Sequence, residues 1–146
     1  MNITYIDANT NSNKPFTDEQ IVAFLHTHLD QYGDDEESIS RCLNFAMGRN
    51  NGLGGFAVLA SEGEDIIGAV IINKTGMGGY IPENILVYIA SHRKYRGKGV
   101  GRALMDETLK RAVGDVALHV EKDNPARFMY EKYGFTNPYL EMRLKR

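Results

Sequence analysis

The chain has one cysteine, Cys42, so an internal disulfide framework is excluded and a reducing compartment is expected. From Met1 to Phe16 there is no long apolar run, and Asp7 and Lys14 stand among Asn and Thr. That composition argues against a signal peptide or a membrane span, so the expected location is cytoplasmic, with no membrane partner. No repeat and no low-complexity tract is present. Metal-ligand spacing is missing too: His26 and His28 are two residues apart on a helical pattern and cannot face one ion together, so no metal is expected. Two familiar phosphate-binding fingerprints are also absent. Nowhere does G-x-G-x-x-G open a helix with an acidic residue at the distance a dinucleotide site needs, and there is no G-x-x-x-x-G-K-[ST].

What is present fits one globular domain of 146 residues, long enough to bury a substantial core. Charge is unevenly shared. Residues 1–75 hold four Lys/Arg against eleven Asp/Glu, and residues 76–146 hold thirteen against eight. An anionic ligand suits the second half and a cationic one the first. Nucleic-acid binding through Arg93, Lys94, Arg96, Lys98 and Arg102 is disfavoured by that acidic first half and a pI of about 6.1.

Apolar spacing predicts the elements. Ile3 to Ile6 reads as a first strand. Thr17 and Gln20 form a capping box for a helix running to about Leu29. Ile39, Cys42, Leu43, Ala46 and Met47 mark a second helix behind the acidic stretch Asp34 to Glu37, whose carboxylates suit a helix N-terminus. F-A-V-L-A and I-I-G-A-V-I-I, joined by S-E-G-E-D, predict a hairpin. Ile85 to Ala90 is apolar enough for a central strand. A helix follows from Gly99 to Val113, then a strand from Val116 to Val120. Asn124-Pro125 opens a short helix that Gly134 closes, and Tyr139 to Leu144 reads as a last strand. The order βααβββαβαβ implies an α/β fold: a mixed, mostly antiparallel sheet of about six strands with four helices on both faces.

The segment richest in chemistry is Tyr95 to Arg102, Y-R-G-K-G-V-G-R, between a buried strand and an amphipathic helix. Gly97, Gly99 and Gly101 let the backbone approach a ligand. The following helix turns free N–H groups and a positive dipole end toward the loop, while Arg96, Lys98 and Arg102 add charge matched to phosphate. A tight turn with solvated charges is the bland alternative. A diphosphate is the natural guest.

R-G-K-G-V-G at Arg96 to Gly101 resembles the [Q/R]-x-x-G-x-[G/A] motif of the GNAT superfamily of acetyl-CoA-dependent N-acetyltransferases. N-P-A-R-F-M-Y-E-K-Y-G-F, Asn124 to Phe135, is similar to that family's second signature. The resemblance covers residues 55–135 well and implies acetyl-CoA as co-substrate. It implies that the backbone of Arg96, Gly97, Lys98, Gly99, Val100, Gly101 and Arg102 holds the pyrophosphate. The fourth strand's edge, around Ile89 and Ser91, would pair with the pantetheine arm, and Asn124 would help position the cofactor. Tyr130 would protonate the departing thiolate, a role suited to a phenol that stays protonated at neutral pH. Helical spacing alone would make Tyr130 a core aromatic, because Ala126, Met129, Tyr130 and Tyr133 share a face.

The base is open at this stage. Many relatives place a glutamate in the fourth strand where this chain has Val87 and Tyr88; others place one on the fifth, at the position of His119. Histidine there is chemically apt, with an unperturbed pKa of ~6.5. Glu121 shares the strand face with His119, Glu83 could act through water, and a water chain to bulk solvent would also serve. The acidic connection Asp30 to Glu37 suits a cationic acceptor: a polyamine, an amino sugar, a lysine side chain or a peptide N-terminus. Dimers are common among relatives, so a homodimer is among the expected assemblies. The contrasting expectation is a non-catalytic CoA-binding or acetyl-CoA-sensing module of the same fold.

Overall fold

Thr17 opens the first helix as the capping box requires: its hydroxyl accepts from Gln20 N at 3.1 Å, and Gln20 Oε1 accepts from Thr17 N at 2.8 Å. A computed structural model describes residues 1–146. Its elements run β1 (Asn2–Ile6), α1 (Asp18–His28), α2 (Glu36–Ala46), β2 (Gly55–Glu62), β3 (Asp65–Lys74), β4 (Asn84–Ser91), α3 (Val100–Arg111), β5 (Val116–Leu118) and α4 (Ala126–Lys132). Asp35 caps α2, its carboxylate accepting from Ser38 N at 2.8 Å.

The sheet order is β1-β2-β3-β4-β5, antiparallel throughout except for the parallel β4–β5 pair that α3 connects. β2 and β3 are buried along nearly their whole length, which is why they read as continuous apolar runs rather than alternations. Two layers of core result. On one face α1 and α2 pack Ile21, Leu25, Ile39 and Leu43 onto Leu59, Ile71 and Tyr88. On the other, α3 and α4 bring Val100, Leu104, Met105 and Tyr130 against Val58, Val70 and Leu86. Burying each such aliphatic side chain contributes about 1.5–3 kcal/mol. The expected α/β sheet with helices on both faces is what forms.

Three departures from expectation bear on the site and the sheet. The sixth strand at Tyr139 to Leu144 is absent, and the sheet has five strands. Those residues alternate as a strand would, yet no neighbouring strand offers them a ladder, and Leu140, Met142 and Leu144 remain exposed. The fifth strand ends at Leu118 rather than Val120, because β4 leaves it after three pairs. α4 begins at Ala126, one residue later than an Asn124 cap implies, although Asn124 Oδ1 still accepts from Ala126 N at 2.9 Å. No helix is long and apolar enough to cross a membrane.

Candidate active site

The site follows from how β4 ends. Asn84, Ile85 and Leu86 pair with Val116, Ala117 and Leu118, and there the two parallel strands part. On its other side β4 has a register shift: Ile72 pairs with Leu86 and Ile71 with Tyr88. Val87 is therefore the one residue of β4 with a partner in neither neighbouring strand, a bulge at the point of divergence. Beyond it, the edge of β4 from Tyr88 to Ser91 is open toward β5.

A groove of about 820 Å³ occupies this opening. Ile89, Ala90 and Ser91 form its floor, the glycine loop and the start of α3 one wall, and Asn124 to Tyr133 along α4 another; His28 to Tyr32, after α1, close one end. Of the residues expected to hold the cofactor, Ile89, Ser91, Arg96, Gly97, Gly99, Val100, Gly101, Arg102 and Asn124 all line it, as does Tyr130. Lys98 does not; its ammonium stands 5.5 Å from the centre of the Tyr95 ring. His119 is exposed, one residue past β5, and outside the lining.

The loop is shaped for close approach. Gly97 and Gly99 have φ of +78° and +85°, and a Cβ at either would meet nothing within 4 Å. The left-handed backbone explains glycine there, and the space around it is available to a ligand. No side chain caps α3, and the first of its amides to be bonded is Ala103 N, to Gly99 O at 3.0 Å. The amides of Val100, Gly101 and Arg102 therefore face the groove end without a helical partner, next to the positive end of the dipole. Such a cradle fits a pyrophosphate.

The Arg96 side chain is committed elsewhere. Its guanidinium donates to Asp30 Oδ2 at 3.0 Å and to His28 O at 2.9 Å. Arg93 donates to Asp30 Oδ1 and to Thr27 O. Asp30 sits in the left-handed region (φ 56°) just past α1, and the two arginines hold its carboxyl below the ordinary range. The end of α1 is thus tied to the glycine loop, its last carbonyls capped by cations that suit the negative dipole end. The His28 and His92 rings lie 4.1 Å apart at their centres, each accepting a backbone N–H on Nδ1, from Arg93 and Lys94. Partial burial, then the neighbouring His92 and arginines, lower the His28 pKa.

Tyr130 lies on the groove wall, 6% exposed, its ring edge-on to Phe135 at 5.9 Å. Burial pushes its pKa up to about 12, so the phenol keeps its proton at neutral pH. Tyr133, on the next turn, donates to Asp106 Oδ1 at 2.5 Å and fastens α4 to α3. Asp30 and Tyr32, expected only as part of an acidic wall for the acceptor, line the groove, while nothing in the sequence marks His28 or Tyr133 as site-builders.

The chain matches the model of the acetyltransferase (GNAT) family over residues 15–135 and belongs to that family. Solved structures share its fold end to end. A ribosomal-protein-alanine N-acetyltransferase from Brucella melitensis biovar Abortus 2308 has a TM-score of 0.65 at 15% identity, covering 100% of this chain and 99% of that one. A probable acetyltransferase from meticillin-resistant Staphylococcus aureus gives 0.66 at 20%, covering 99% and 98%. An aminoglycoside acetyltransferase from an uncultured soil metagenomic sample, in complex with sisomicin, gives 0.60 at 13%, covering 99% and 95%.

Proposed function

We propose that this protein is a cytoplasmic N-acetyltransferase that transfers the acetyl group of acetyl-CoA to a primary amine by direct attack in a ternary complex. The observation that carries the reading is the convergence, in one groove, of an uncapped helix N-terminus, an open strand edge and a buried phenol. Within residues 96–102, the amides of the glycine loop and of Val100, Gly101 and Arg102 that have no internal partner bind the pyrophosphate. Ile89 and Ser91, on the open edge of β4, pair with the pantetheine amides, and Asn124 helps fix the arm from the opposite wall. This threads the thioester to the divergence of β4 and β5, beside the bulge at Val87. Tyr130 donates its proton to the departing sulfur, and the proton that the acylated nitrogen sheds restores the phenol. The dryness that raises the phenol's pKa also makes an emerging thiolate more basic, so the transfer between them remains matched.

The acceptor belongs to the amines, whether small cation, amino sugar, or protein or peptide amine. The acidic first half of the chain supports this, as do two fold neighbours named for ribosomal-protein alanine and aminoglycoside acetylation. The test is acetyl-CoA-dependent thiol release over a panel of amines, with wild type and Tyr130→Phe. Turnover should fall about 100-fold or more in the variant, while the Kd for CoA stays within about threefold. Unchanged turnover would remove Tyr130 from the mechanism. Binding of CoA with thiol release to no amine would leave a CoA-binding module.

A further inference from the structure

Immediately after the unpaired Val87, Tyr88 turns its ring into the layer beneath α1 and α2. Its hydroxyl donates to Asp34 Oδ2 at 2.5 Å. Asp34 comes from the α1–α2 connection, and its carboxylate is the one there that holds a buried phenol. Asp30 is held by Arg93 and Arg96, Asp35 caps α2, and Glu37 pairs with Arg41 at 2.8 Å. No lysine or arginine pairs with the Asp34 carboxylate; the titratable groups facing the pair are His26, whose Nδ1 lies 3.3 Å from the Asp34 carbonyl oxygen, Asp35 and the buried Cys42. Asp34 is exposed to water while the phenol it holds is buried. The pair lies one layer behind the groove: neither Tyr88 nor Asp34 lines it, but residues flanking each of them do. Ala90, two residues on from Tyr88 along the same face of β4, lines it, as do Leu29 and Tyr32 from the segment leading to Asp34.

We infer that Tyr88 and Asp34 form the exit for the acceptor's proton, and that the acceptor is therefore an alkylammonium, a cation at neutral pH. This rests on the transferase reading and adds the acceptor's chemical class and the basic group. An ammonium cannot attack a thioester, since its lone pair is held in an N–H bond. In the proposed step one N–H proton passes through a bridging water from the groove to the Tyr88 oxygen as the phenolic proton passes to the Asp34 carboxylate. The amine lone pair is freed, Tyr88 is unchanged, and Asp34 releases its proton to bulk water. Burial, reinforced by the Asp34 hydrogen bond, raises the Tyr88 pKa, so Tyr88 remains a neutral donor whose oxygen lone pairs can accept an incoming proton. Other candidates lack such a relay: His119, one residue past β5, holds no buried hydroxyl, and Glu83 is at the far end of β4, where its Oε1 accepts from Asp115 N at 3.0 Å.

Two acceptors separate a proton route from mere packing: n-butylamine, a cation at pH 7, and methoxyamine, neutral there. For Tyr88→Phe, and separately for Asp34→Asn on the exposed connection, kcat/KM with n-butylamine should fall about 100-fold at pH 7. The deficit should shrink as pH rises toward the amine's own pKa, and methoxyamine should lose no more than about threefold. The CoA Kd should stay at the wild-type value. Asp34→Asn keeps the test decisive should the core variant fold poorly, since that side chain is outside the core. Equal losses with both acceptors, a deficit independent of pH, or no loss with n-butylamine would overturn the inference while leaving the transferase intact. Wild-type transfer to methoxyamine but not n-butylamine would do the same. Wild-type protein that binds CoA but releases thiol with neither amine nor any member of the wider panel would overturn the transferase reading itself.

Discussion

At its Asn84 end, β4 is closed by its own chain. Asn84 is buried, and its Nδ2 donates to Val113 O at 2.9 Å and Asp115 O at 3.1 Å, while Glu83 accepts from Asp115 N. Gly114, with φ +94°, is packed so tightly that a Cβ would come within 2.6 Å of Glu83 Cδ. At the Ser91 end the ingredients are similar: glycines of positive φ, a helix terminus and polar backbone. There the first amides of α3, Val100 to Arg102, have no internal partner, and Cβ atoms on Gly97 or Gly99 would meet only open space. One end of the strand satisfies its polar groups internally; the other leaves them for a ligand. The chemistry of a glycine loop is thus decided by what fills the space around it rather than by its composition.

That contrast can be tested directly, and the glycines give the largest effects. Valine is disfavoured at either position by the left-handed backbone, at a cost of about 1–2 kcal/mol. Gly99→Val should weaken CoA binding by about tenfold or more through displacement of the α3 amides. Gly114→Val should cost about 2–3 kcal/mol of stability, strain and overlap with Glu83 together, yet leave CoA affinity within about twofold. Calorimetric titration and thermal melts read the two quantities, and equal loss of affinity in both variants would erase the distinction between the ends.

A smaller effect is expected from Asp30→Asn. Arg93 and Arg96 are about half exposed, so losing their shared carboxylate should cost no more than about 1 kcal/mol of stability. The same change frees both guanidiniums beside the glycine loop, so CoA affinity should hold or rise slightly. A pronounced fall in affinity would show that the α1 tie, rather than the loop, positions the phosphates. The smallest effect concerns His28. Its folded-state pKa is lowered, so its contribution to stability is complete above ~6.5 and is lost as pH falls through the folded value. Melts at pH 7 and pH 5 should show wild type losing about 1–2 °C more than His28→Phe, which keeps a ring in the stack but cannot charge. An identical pH response would remove His28 from that linkage.

Much of this arrangement is written locally. The capping box at Thr17 and Gln20, the glycine loop and the Asn124–Gly134 helix each lie within one short stretch, where propensity and hydrogen bonding between near neighbours suffice. The bulge at Val87 is not written that way, because nothing in I-L-V-Y-I-A tells which residue β3 will skip. Nor are the pairs that complete the site: Asp30 meets Arg93 and Arg96 across 63 and 66 residues, and Tyr88 meets Asp34 across 54. In the sequence Asp34 belongs to a run of helix-capping acids; only its partner sets it apart. Tyr139 to Leu144 fails in the opposite sense, a sound strand pattern for which the fold supplies no neighbour.

By itself the sequence determined the elements that form, their order and the glycine loop, because periodicity, caps and glycine conformations act over a few residues. Tertiary structure alone decided where β4 and β5 separate, which carboxylates are neutralised by arginine, and which one is left holding a phenol beside the groove. Those outcomes depend on contacts between segments far apart in the chain, and a carboxylate's chemistry is set by the partner that reaches it.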